Sequence, residues 1–237
     1  MHARRMGGVG QTRASGLPRV QRGLTFWLFL PSYTLVVVMT ASHMLGLVST
    51  WSQLGTLVPA YYFLAMCVHD AIHRAAHTNA RLNNLVGWVC ATALGLTYPV
   101  IRRTHLEHHR ATEHDHDVES FVYKSGWTLL PRLLISNWRC YAVLPELKRR
   151  EKLQAIVFVA VIVVALATWP QQLFWSWLVP MQLGIALFVL MTVYLPHGRF
   201  AKWVMENVPA VTGHHEAHHR HPQYPWYQYF TMGERGT

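Results

Sequence analysis

Charge is what this sequence has least of. Of its 237 residues only 14% are Asp, Glu, Lys or Arg, against 51% hydrophobic, and none of the charged ones falls between Arg22 and Asp70 or between Lys152 and Arg199. Charge-free stretches of that length exclude an ordinary soluble composition. They also confine the net charge of +10 to the segments between apolar blocks, the pattern of a membrane protein rather than a nucleic-acid binder. Cysteine is scarce as well. Cys67, Cys90 and Cys140 are too few and too scattered for a zinc ribbon or a disulfide framework, and read as packing residues. A basic start followed by an apolar run has the outline of a signal peptide, but the run is too long for one and lacks a small-residue cleavage site, so it reads as a retained helix. No internal repeat or low-complexity segment appears.

The apolar blocks set the expected architecture. Residues 1–22 are basic and aperiodic, and are expected to form a disordered arm. Leu24 to Val48 is long enough, at ~1.5 Å per residue, to cross a ~30 Å hydrocarbon core. Leu54 to Val68 makes a second span whose helix continues through His69 and His73, with residues 49–53 as the turn between the two. Leu153 to Trp169 and Leu173 to Leu195 form a second hairpin about Pro170-Gln171-Gln172. Leu85 to Ile101, with Gly87, Gly95 and Pro99, sits at the lower limit for a span. If it crossed, the histidines on its two sides would be separated by the bilayer, so it is assigned as an interfacial or partly inserted helix. Both hairpin turns lack Lys and Arg, which puts every basic residue on the other, cytoplasmic side. The expected fold is therefore all-α and integral to the membrane: four transmembrane helices and a cytoplasmic histidine-rich cap in a domain over residues 23–230, with a tail at 231–237.

Sixteen histidines are the anomaly. His69, His73 and His77 recur at i, i+4 and i+8, so a single helix would present all three on one face. His105-Leu106-Glu107-His108-His109 and His215-Glu216-Ala217-His218-His219 share the spacing H-x-x-H-H, and His197 follows the last span. Neutral imidazole suits Fe, Zn, Cu and Ni, but eight or nine exceed what one ion holds, so two ions are expected. His43 reads as a helix-end or core residue and His2 as tail; His114 and His116 read as solvated loop, and His214 and His221 flank the core spacings. The third cluster also satisfies H-E-x-x-H, the pattern of a zinc metalloprotease, though a zincin leaves the other two clusters unexplained. Carboxylate di-iron bundles need glutamates that these spans lack. A metal transporter would place polar ligands near the middle of its spans, and these spans are almost free of them apart from His43.

These residues resemble the membrane fatty-acid desaturase and hydroxylase superfamily. The likeness rests on His69-Asp70-Ala71 with His73, Arg81-Leu82-Asn83, the second box followed by Asp115 and Asp117, Tyr194-Leu195-Pro196-His197, and His218-His219 leading into Pro222-Gln223-Tyr224-Pro225-Trp226-Tyr227. Within that group the closing Pro-Trp-Tyr is most similar to the beta-carotene hydroxylases and ketolases. The resemblance implies that His69, His73, His105, His108, His109, His197, His215, His218 and His219 match metal-ligand positions, and that His77 matches a histidine recurring in the hydroxylase first box. It implies two Fe ions, O2 as co-substrate, and a C–H bond of a lipid-soluble substrate as target: a carotenoid ring first, an acyl-lipid chain as the alternative. Trp88, Tyr98, Trp226 and Tyr227 are candidate walls for such a ring. Asp70, Glu107, Asp115, Asp117 and Glu216 are the carboxylates expected to accept an imidazole N–H and fix its orientation. With no cysteine array for an iron–sulfur cluster, electrons are expected from a separate ferredoxin-like donor. A bacterial plasma membrane is the expected location, with termini and site facing the cytoplasm and no nucleic-acid partner.

Overall fold

A chain segment in hydrocarbon has to satisfy its own backbone hydrogen bonds, which favours helices throughout. The computed structural model describes residues 19–112, 117–197 and 217–232, and these contain helices and turns with no strand. The helices are α1 (Leu24–Met44), α2 (Thr50–Ile72), α3 (Ala80–Ala93), α4 (Tyr98–Ala111), the short α5 (Ser120–Tyr123), α6 (Leu129–Arg139), α7 (Arg149–Thr168), α8 (Pro170–His197) and α9 (Trp226–Met232). By length and composition α1, α7 and α8 can cross a membrane, and a fourth span results if the bent α3–α4 pair counts as one.

The expected turns move slightly, for local reasons. Ser49 caps α2 by accepting the Ser52 N–H through its hydroxyl at 3.2 Å, so residues 50–53 join the helix. The reversal falls at 45–49 instead, where Gly46 takes φ 70°. Pro170 is not a turn residue either: it opens α8 at the first helical position, leaving Trp169 as the break after α7. Nor do α7 and α8 pack as a hairpin along their length. α7 lies instead against α4 and the helical turn Cys140–Glu146.

α2, the expected second span, is 23 residues long, but Gln53, Tyr61, Tyr62, His69 and Asp70 keep it out of the most apolar set. Its position explains why that is tolerated. It packs on α1, α3 and α8 and buries 11 residues, among them Gln53 and Asp70. Against α8 the approach is close enough to require glycine: a Cβ at Gly184 would lie 2.6 Å from Tyr61 Cβ and 2.8 Å from the Val58 carbonyl oxygen. Small residues are what let helix backbones come together in lipid.

Residues 85–101 do not make one helix. Gly95, at φ 72°, breaks it, and α3 and α4 meet at 99°. Tyr98 locks the elbow, with its ring against Gly87 and its hydroxyl donating to the Ala71 carbonyl at 2.8 Å. The bend returns the chain so that α4 runs beside the end of α2. Residues 19–22, read as the end of a free arm, are tied to α9. Gln21 N–H donates to Gln228 Oε1 at 2.7 Å, and Tyr227 Oη donates to the Gln21 carbonyl at 2.6 Å.

Candidate metal centre

Five imidazoles converge at the end of α2. His69 Nε2 lies 3.1 Å from His218 Nε2, His73 Nε2 lies 2.9 Å from His105 Nε2, and His109 Nε2 is 3.1 Å from His105 Nε2 and 3.0 Å from His218 Nε2. His69, His73, His105 and His218 form one potential metal-ligand group, and His108, His197 and His219 form a second. His109 sits between the two, its ring centroid 4.8 Å from that of His218 and 4.4 Å from that of His219.

Helical spacing accounts for the division. On α4, His105 and His109 are four residues apart and share a face, while His108 is turned from it. In the helical turn at 217–220, His218 and His219 are adjacent and so point roughly 100° apart, one to each group. α2 contributes His69 from its last turn and His73 from its C-cap.

His77 does not join them. The helix stops at Ile72, and Arg74 adopts φ 58°, so the i+8 position leaves the face that His69 and His73 share. The His77 ring packs against Phe26, and its Nδ1 accepts the Asn79 N–H at 2.9 Å.

The carboxylates fall into three kinds. Asp117 is buried, with its oxygens 3.0 and 3.1 Å from His108 Nδ1, and it also accepts from Glu119 N–H and Tyr123 Oη, both at 2.8 Å. It is therefore placed to orient the His108 ring. Asp70 is buried but 3.9 Å from His69 Nδ1, beyond hydrogen-bond range. Its oxygens accept from Thr25 Oγ1 at 2.7 Å and Trp226 N–H at 3.0 Å, which ties α1 and α9 to α2. Glu107, expected beside the imidazoles, is on the opposite side of α4, 3.5 Å from Arg103 and 3.3 Å from Arg110. The spacing of the second box put Glu107 next to histidines in sequence, not in space. His114, His116, His214 and His215, with Asp115 and Glu216, lie outside the described residues.

Two participants were missed. Glu119 Oε1 is 3.3 Å from His105 Nδ1 and its other oxygen is 3.6 Å from His108 Nε2, so one carboxylate faces both groups. Its place two residues after Asp117, in the same acidic run, was the available signal. Tyr229 Oη is 3.2 Å from His218 Nδ1, and nothing in the spacing of the third box pointed to it.

Electrostatics favour neutral rings at every shifted histidine but His108, where burial is outweighed by Glu119 and Asp117, which raise it above the ordinary range. Burial, followed by the neighbouring His105, His69 and His109, drives His73 far below the ordinary histidine range. Burial and the neighbouring histidines do the same to His218, and His219 is pushed down to about 4 by burial, His108 and His197. Burial opposes ionisation of Asp117, but the hydrogen bond and charge of His108 hold its carboxyl below the usual range. Neutral imidazoles with Nε2 atoms facing inward, several held by an oxygen partner at Nδ1, are the donor set of a transition metal. The residues present fit two such ions.

Beside this cluster lies an apolar cavity of about 90 Å³ whose wall includes His69, His105 and Glu119, with Ala65, Val68 and Phe188 among the apolar residues. Trp88 and Tyr98 line a different, polar cleft, and Trp226 packs on Phe63. Neither they nor Tyr227 line the apolar cavity, because the Asp70 and Gly87 contacts hold this part of the chain against the scaffold.

A helical membrane protein with two groups of histidine ligands beside an apolar cavity is the class that fold and site define. The chain belongs to the fatty acid desaturase family, whose profile matches residues 49–232, and the family implies an oxidoreductase. Curated relatives include a "Delta(12) fatty acid desaturase" from Mortierella isabellina and another from Mortierella alpina. Each is 33% identical over 75 residues, which is 32% of this chain and 18% of the relative. The match therefore spans less than a fifth of those proteins. No solved structure matches the chain. Both relatives are desaturases, so the superfamily resemblance holds while its carotenoid branch gains no support.

Proposed function

We propose that this protein is an acyl-lipid desaturase, removing two hydrogens from adjacent carbons of a fatty acyl chain. The carrying observation is the cavity of about 90 Å³ that ends on His69, His105 and Glu119. Its wall is otherwise almost wholly apolar, which suits a hydrocarbon held beside the cluster, and the Delta(12) desaturase relatives favour an acyl chain over a carotenoid ring. The balanced reaction is –CH2–CH2– + O2 + 2 H⁺ + 2 e⁻ → –CH=CH– + 2 H2O. The electrons come from a separate donor of the ferredoxin type.

Two iron ions, held by the His69–His73–His105–His218 and His108–His197–His219 groups with His109 between them, would supply the O2-dependent redox chemistry. The chain's own residues do the rest. Asp117, Glu119 and Tyr229 fix the orientation of His108, His105 and His218. The apolar wall excludes water and holds the methylenes beside the cluster, so that proximity rather than substrate reactivity selects the C–H bond. A cytoplasmic site follows if the positive-inside pattern holds.

The test is lipid analysis of a host with saturated acyl chains that also accumulates beta-carotene. New double bonds in the acyl chains, absent with His105→Ala, are the expected outcome. Unchanged acyl chains together with an oxygenated carotenoid would move the assignment to the ring oxygenases.

A further inference from the structure

On the other face of α4 from the histidines is an open cleft of about 680 Å³ that the chemistry above does not use. Six basic side chains line it against two carboxylates, Glu146 and Glu151. Part of that charge is matched. Arg103 pairs with Glu146 at 2.6 Å, and Arg110 with Glu107 at 3.3 Å. Arg74, Arg102 and Arg150 are exposed and have no carboxylate within ion-pair distance among the described residues. The cleft thus carries an excess of positive charge that the protein does not neutralise.

Its location says what neutralises it. Arg150 is in the first turn of α7, and the exposed apolar face of that helix begins at Leu153 and continues through Ile156 and Val157. Trp88 is also part of the cleft's lining. A cluster of cations with a tryptophan, at the boundary where a lipid-facing helix becomes polar, lies at headgroup level. A ligand with a phosphate in the cleft and acyl chains along α7 satisfies both surfaces; a free anion satisfies only the first.

We propose that this cleft binds the headgroup of an anionic phospholipid, separately from the substrate cavity, and so fastens the outer face of the histidine-bearing helix α4 to the bilayer. The inference needs the membrane but not the identity of the oxidised substrate.

Native mass spectrometry of the full chain in detergent, offered phosphatidylglycerol and phosphatidylcholine with identical acyl chains in equal amounts, tests it. The wild type retains phosphatidylglycerol preferentially. Each basic side chain near an anionic surface contributes about fivefold, so Arg102→Gln with Arg150→Gln lowers the preference by about thirtyfold, and Arg81→Gln, outside the cleft, leaves it unchanged. Should the double variant fail to fold by circular dichroism, Arg102→Gln alone, at about fivefold, reads the same interaction. Equal retention of the two lipids overturns the proposal, as does an unchanged preference in the variants. Displacement of the lipid by inorganic phosphate would assign the cleft to a free anion. Loss of reduction by an acidic protein donor with lipid retention intact would make it a protein-docking surface instead.

Discussion

α2 and α7 are nearly the same length and differ in almost everything else. α7 carries no charge after Lys152, buries only Ala155 and Ile162 of its 20 residues, and leaves Val164 64% exposed. α2 carries Gln53, His69 and Asp70 and buries 11 of 23. In water the more apolar helix would be the core; here it is the one facing lipid, because lipid tails solvate Val and Leu as well as another helix does. The polar side chains of α2 are bearable because protein groups surround them. Gln53 Nε2 donates to the Ser176 carbonyl at 2.7 Å, and Asp70 has the Thr25 hydroxyl and the Trp226 N–H. Hydropathy therefore reports contact with lipid, and chemistry sits where hydropathy is weaker.

The sharpest way to break this comparison is at the C-terminal end of α2. Replacing His73 by Ala removes one of the four imidazoles of the first ligand group; desaturated product is expected to fall below detection, with a matching loss of iron in elemental analysis. Retained iron and turnover would mean that the end of α2 is not the site. A methyl group tests the scaffold next. Gly184→Ala drives a Cβ into Tyr61 and the Val58 carbonyl, and overpacking of this kind costs typically 1–3 kcal/mol, visible as a lower melting temperature in detergent. The counterpart on the lipid face, Val161→Leu at an exposed position of α7, is expected to change melting by less than ~0.5 kcal/mol. Equal losses from the two substitutions would remove the distinction between the helices. The smallest effect belongs to His77. His77→Ala should leave iron content within error of wild type, since its ring is on Phe26 rather than in either group; loss of iron equal to that of His73→Ala would return it to the ligand set.

Much of the site was legible beforehand because its information is local. H-x-x-H-H fixes which faces of one short helix carry imidazoles, and eight or nine of them are more than one ion would hold. His77 and Glu107 went astray where local spacing stops governing position. The first depended on where α2 ends, which Arg74 at φ 58° decides, and the second on which side of α4 met the rest of the protein. Glu119 and Tyr229 could not be ranked above other polar residues, since their partners, His105 and His218, lie 14 and 11 positions away.

By itself the sequence determined an all-helical membrane protein with enough histidine for two metal ions, because hydropathy and helical periodicity act over a few turns of one chain segment. Only the tertiary structure decided that α3 and α4 bend by 99° to bring the second box onto the first, that His218 and His219 serve different groups, and that the ring-pocket aromatics pack elsewhere. Each of those depends on contacts between residues far apart in the chain, made when the burial of one helix against three others selects a single arrangement, and no short-range pattern encodes them.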